Sequence, residues 1–208
     1  MNEYRMLLSV AMLLGVGTVV EAADPKVASA NPTFANPDTP GLLEGKPADA
    51  ANITDVVFLK QLAIGGKAEV ELGKLARERN AAPGVESFAE RMVKDHGEAN
   101  AKLASLARSA RVELPRELDA EHAAARGELS ALRGTEFDLK YIDAQIKDHQ
   151  KAVQLLVHEI GSGQHAGVRQ LAADTLPGVL EHLEMAKSLR AQLTMGETAP
   201  RRAAAASN

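Results

Sequence analysis

From residue 53 to residue 195, apolar side chains recur at helical spacing, and nowhere do they alternate with polar ones as a half-buried strand requires. In the first segment the recurrence runs through Phe58, Leu62, Gly65, Leu72 and Ala76, while Lys60, Lys67, Glu71, Lys74 and Glu78 gather on the opposite side. A chain patterned this way buries its apolar surface by laying helix faces together. Aromatic residues make up 3% of the chain and Trp is absent, so the core must be aliphatic. The prevalence of Ala, Leu, Glu, Lys and Arg favours helix over sheet.

Breaks divide the segment into five expected helices. The first is Thr54–Arg79, with Thr54 as N-cap, and Ala81-Ala82-Pro83-Gly84 separates it from the second, Val85–Ala110. A short third helix, Arg116–Arg133, lies between Pro115 and Gly134. The fourth is capped by Thr135 and runs to Ile160, where Gly161-Ser162-Gly163 stops it. The fifth, Ala166–Thr194, is expected to kink at Pro177. Four long helices joined by short turns, with the short helix as an accessory piece, predict an all-α antiparallel four-helix bundle over residues 53–195.

The ends read differently. Arg5, the apolar run Met6–Val20 and then Val20-Glu21-Ala22 have the layout of a secretory signal peptide, residues 1–22, cleaved after Ala22. At about 1.5 Å per residue that run falls short of the ~30 Å hydrocarbon core, so a membrane anchor is disfavoured. Residues 23–52, rich in Ala, Pro, Asn, Asp and Gly, are expected to form a disordered tether, and 196–208 a similar tail. The mature form is thus expected in the periplasm or cell envelope without a transmembrane span. No cysteine is present, which excludes disulfides, thiolate metal sites and thiol catalysis. The net charge is −4 and basic residues are scattered among acidic ones, so nucleic acid is excluded as a partner. An envelope component or a second copy of the chain stays open. No nucleophile elbow, Ser-His-Asp order or phosphate loop occurs, and the chain reads as a binding protein more than an enzyme.

Each long helix interrupts its apolar line with one polar residue. Glu69 lies on the first line, and His96 on the second, among Val85, Ala89, Met92 and Leu103. His149 falls between Ile142, Ile146, Val153, Leu156 and Ile160, and His182 lies close to the line of Val168, Ala172, Thr175, Val179, Ala186 and Leu193. Glu69, His96 and His149 are each about 12–13 residues from a helix–helix turn, so these three sit at similar heights in an antiparallel bundle; His182 is about 19 from its turn, an excess that a loose turn and the Pro177 kink absorb in part. Three imidazoles and a carboxylate form a donor set for one transition-metal ion, Zn, Cu or Fe. The alternative is a hydrogen-bonded structural cluster, since buried polar groups must find partners. Metal binding would need neutral imidazoles and an ionised carboxylate, so it is expected to weaken as pH falls toward about 6.5.

Asp95 flanks His96 as a residue able to orient an imidazole, while Asp148 reads as a surface carboxylate. Tyr141 reads as core, and His122, His158 and His165 fall outside the site.

Residues 63–73 (AIGGKAEVELG), residues 88–96 (FAERMVKDH), the His149 segment, and Leu176-Pro177 followed by His182-Leu183 together resemble a bacterial domain family of unknown function. Its members are often labelled predicted outer-membrane proteins and placed in the ferritin-like fold group. The resemblance covers about residues 54–193 and implies a ferritin-like bundle, an envelope location and, by analogy, a metal site. Di-iron members of that fold group carry Glu-x-x-His on two helices. That spacing occurs nowhere here, Asp119-x-x-His122 being nearest, which argues against a ferroxidase. Nor does the chain carry the alternating strands of an outer-membrane barrel.

Overall fold

The computed structural model describes residues 50–206, with side chains to residue 195. The expected export segment, 1–22, and nearly all of the expected tether lie outside the described residues. Five helices follow in order: α1 (Ile53–Glu78), α2 (Pro83–Ser109), α3 (Ala120–Ala131), α4 (Gly134–Ser162) and α5 (Ala166–Ala206). The described residues contain no strand, and no helix among them is long and apolar enough to cross a membrane.

The helix ends show where local chemistry overrides pattern. The cap of α1 is Asn52 and not Thr54: Asn52 Oδ1 accepts the Asp55 N–H at 2.8 Å, and the Asp55 carboxylate accepts the Asn52 N–H at 2.6 Å. This reciprocal box satisfies two N–H groups that the first turn leaves open. α2 begins on Pro83, where the missing N–H costs nothing. α3 starts later than Arg116 because Asp119 caps it, accepting the His122 N–H at 2.9 Å. α4 opens at Gly134, one residue before the expected cap, with a φ of +57° that glycine adopts without strain. α5 passes through Pro177 and continues beyond Thr194 to Ala206.

The long helices pair as α1 with α2 and α4 with α5. The two hairpins join through α1 against α4 and α2 against α5, so the order around the bundle is α1, α2, α5, α4. α3 lies across α1 and α4, anchored by buried Leu129 and by the Arg79 guanidinium donating to the Ser130 carbonyl at 2.5 Å.

Apolar side chains form two clusters. One, toward the α1–α2 turn, holds Leu72, Phe88, Met92, Tyr141, Ile142 and Ala186; the other holds Phe58, Leu59, Leu103, Leu156, Val168 and Val179. On every long helix the expected polar interruption falls between the members of the two clusters: Glu69 between Leu59 and Leu72, His96 between Met92 and Leu103, His149 between Ile142 and Leu156, His182 between Val179 and Ala186. The bundle is two dry layers with a polar layer between them.

One expected core position is displaced. Ile160 is 36% exposed, and its neighbour Glu159 is fully buried instead. Glu159 lies beside buried Asp55, which accepts the N–H groups of Gln164 at 3.0 Å and His165 at 3.1 Å in the α4–α5 turn. These bonds, with that from Asn52, hold the Asp55 carboxyl below its ordinary value although burial pushes it up. Burial and the adjacent Asp55 carboxylate push Glu159 up to about 8, so near neutral pH the pair carries close to one negative charge.

Candidate metal centre

The polar layer is built one residue per helix, and three of the four meet. One ring nitrogen from each of His96, His149 and His182 lies within 4.8 Å of the others. The ring centroids form a nearly equilateral triangle, 5.6 Å between His96 and His149, 5.4 Å between His96 and His182, and 5.5 Å between His149 and His182. His149 and His182 are buried and His96 half-buried.

Two of the rings have their orientation fixed from behind. His149 Nδ1 lies 2.9 Å from the Gln145 carbonyl one turn earlier, which can only accept, so Nδ1 carries the proton and Nε2 keeps its lone pair. His182 Nε2 lies 2.9 Å from Asp95 Oδ2, so this ring donates from Nε2 and keeps its lone pair on Nδ1. The buried ring nitrogens left without a hydrogen-bond partner are His96 Nε2, His149 Nε2 and His182 Nδ1. Outer hydrogen bonds that set the tautomer and leave lone pairs facing a common point are the usual support of histidine metal ligands.

Asp95 is itself held. Arg91 donates to Asp95 Oδ2 at 3.1 Å and pairs with Glu181 at 2.8 Å. Burial pushes the Asp95 carboxyl up, but the hydrogen bonds from His182 and Arg91 outweigh it and the net shift is downward, so the group stays ionised.

Glu69 does not join the trio. Its Oε1 lies 3.6 Å from His149 Nδ1, the nitrogen already bonded to the Gln145 carbonyl. Burial pushes its carboxyl up to about 8, which leaves it mainly protonated at neutral pH. Of the four residues expected along the apolar lines, the structure brings three imidazoles together and places Glu69 behind one of them. The reason is rotational: Glu69 shares the level of the histidines but meets His149 from the α1 side.

His96 and His149 shift the other way. Burial, with the neighbouring His149 and His182, holds His96 down at about 3; burial holds His149 down at about 4. Both keep their lone pairs well below the value near 6.5 at which ordinary histidine protonates.

The other singled-out residues sort plainly. Tyr141 is fully buried in the core and His158 is exposed. His165 donates its backbone N–H to Asp55 in the α4–α5 turn. Asp148 is half-buried and faces His122 Nε2 at 3.9 Å, so it is not the surface carboxylate expected. Gln145 was not anticipated. It is fully buried one turn before His149, on the same face, a polar residue that the i, i+4 spacing could have flagged.

The fold and this layer define a small all-α bundle with a histidine cluster at mid-height. The chain belongs to the DUF4142 family, described as a domain of unknown function, whose profile it matches over residues 42–189. No curated protein matches it. Among solved structures, a DUF305 fragment from Deinococcus radiodurans superposes with a TM-score of 0.62 at 16% identity, covering 69% of this chain and 99% of that one. A DUF305 protein from Streptomyces coelicolor, named as a candidate secreted protein, gives 0.59 at 13% identity, covering 71% and 96%. CopM in its Cu(I)-bound form gives 0.55 at 15% identity, covering 66% and 95%. At these identities the likeness is one of fold.

Proposed function

We propose that this bundle is an exported protein that binds one transition-metal ion through His96, His149 and His182, serving metal handling or the response to metal stress in the cell envelope. The observation that carries the reading is the convergence of three imidazoles, each with an unpaired ring nitrogen, in a layer that should otherwise be dry. An ion about 2.0–2.1 Å from each nitrogen sits about 3.2 Å from each ring centroid, and three ligands spread at about 110–120° then separate the centroids by about 5.2–5.5 Å. The observed separations of 5.4–5.6 Å lie at the upper end of that spacing, so an ion would draw the rings together slightly. Imidazole sets suit copper, zinc and iron, and the Cu(I)-bound neighbour puts copper first among them. Export is supported by the signal-peptide layout of residues 1–22 and by the neighbour named as a candidate secreted protein.

The competing reading is a structural or interaction protein whose polar layer is only a hydrogen-bonded core. The bonds from His182 to Asp95 and from His149 to Gln145 favour it, yet they leave the inward nitrogens unpaired. Titration of Cu(I), Zn²⁺ and Fe²⁺ into chelator-treated protein separates the two. The metal reading requires one equivalent bound and a raised melting temperature, since the unfolded chain has no assembled site. An unchanged melt with no stoichiometric binding leaves the structural core.

A further inference from the structure

The histidine layer is not sealed on every side. A cavity of about 280 Å³ lies against it, with Glu69, His96 and His149 at its inner end and Leu62, Leu103 and Val179 along its walls. The outer end runs between α1, α4 and the start of α3, where Asp119, His122 and Asp148 line it beside exposed Gln61 and Lys151, so it reaches solvent there. His182 and Asp95 are not in its lining; they close the layer from the α2–α5 side.

Buried polar atoms at the inner end have no hydrogen-bond partner. His149 is 1% exposed and its Nε2 has no partner; Glu69 is 5% exposed and its Oε2 has none. The α1 wall is also thinned. A Cβ added at Gly65 would meet nothing within 4 Å, so a helix-weakening glycine stands where an alanine would fit. The space is ample: an engineered apolar cavity of about 150 Å³ holds a benzene ring. Aliphatic walls disfavour a charged occupant.

Resting on the metal reading above, we infer that this cavity is a chamber for a second ligand, a small neutral molecule with an aromatic or aliphatic body and one nitrogen, oxygen or sulfur donor atom. The donor atom completes the coordination of an ion held by the three imidazoles, and the body packs between Leu62, Leu103 and Val179. Metal sites that act on small molecules keep one position open in this way, whereas purely structural sites are closed by protein.

The test uses the protein loaded with Co²⁺, whose visible absorption reports a change of ligand, and compares imidazole with 4-phenylimidazole. Both offer the same donor, and only the second carries a body that fills the chamber. The expected result is that 4-phenylimidazole binds at least about ten-fold more tightly than imidazole, through burial of its ring. Gly65→Leu, or Ala152→Phe from the α4 wall should the first variant not fold, reduces that preference to less than about two-fold by filling the same space, with Co²⁺ still bound one to one. If the two probes bind alike to the loaded protein, or if both filling variants keep the preference, the chamber is not a ligand site although the metal site stands. If Co²⁺ does not bind at all, the metal reading falls and this inference falls with it.

Discussion

Asp95 Oδ2 accepts a hydrogen bond from His182 Nε2 at 2.9 Å, across the α2–α5 contact, and this single bond decides which nitrogen of His182 faces the other two imidazoles. Asp95 lies next to His96 in sequence, so one turn of α2 supplies both a ring of the trio and the carboxylate that orients another ring.

That arrangement predicts two effects. Asp95→Ala should weaken metal affinity by about 10–100-fold, the usual consequence of removing an outer hydrogen bond from a histidine ligand. The metal-free fold should lose about 1–3 kcal/mol, because buried His182 Nε2 is left without its partner, while the pair with Arg91 is solvent-screened and adds little. A competition titration beside a denaturant melt checks both. Equal metal affinity in variant and wild type would remove Asp95 from the account.

The buried ionisable groups predict the pH profile of the metal-free protein. His96 and His149 have folded values near 3 and 4, below the ordinary 6.5, so as pH falls below 6.5 the unfolded chain takes up protons the folded one refuses, and stability drops. Glu69 and Glu159 are raised to about 8 from 4.5, so between 4.5 and 8 the folded state holds protons the unfolded one has released, and stability drops as pH rises. The two trends oppose each other between 4.5 and 6.5. Melting temperature should therefore be flattest in that window and fall on either side, and Glu69→Gln should lessen the loss at pH 8. A melting temperature that climbs steadily from pH 6.5 to 8 would contradict the protonated state of the buried glutamates.

The rotation of α4 is open to a direct stability comparison. Leu156→Ala should cost about 2–5 kcal/mol, since it removes a fully buried side chain and leaves a cavity. Ile160→Ala, at a position 36% exposed, should cost less than about 1 kcal/mol. Equal losses in urea unfolding would put Ile160 back in the core, where the helical pattern alone had placed it.

Helical periodicity was enough to place the four long helices, and counting residues from the turns put Glu69, His96 and His149 at one level; His182, about 19 residues from its turn, was out of step by that count, and the fold brings it to the other two imidazoles. Periodicity could not say that Glu69 would approach from behind His149, because height along a helix says nothing of the angle at which neighbouring helices present their side chains. Asp55 and Glu159 were missed for a different reason. A carboxylate in a first helical turn and another beside an apolar line look like ordinary solvated acids, and only the closeness of the α4–α5 turn to the start of α1 shows them buried together. Asp138 is similar: it is buried near the start of α4, where its carboxylate accepts the Ala82 N–H across the bundle at 3.2 Å. For Asp55 and Asp138 a backbone N–H contributed by a distant segment meets the buried carboxylate, and no local pattern encodes it.

X-ray absorption at the metal edge of protein carrying one equivalent of Cu(I) or Zn²⁺ tests the central claim most directly. The account predicts three imidazole nitrogens at about 2.0–2.1 Å, with the outer-shell scattering of three rings, falling to two in His149→Gln. A first shell with fewer than three imidazoles in the wild type, or one unchanged by His149→Gln, would contradict it.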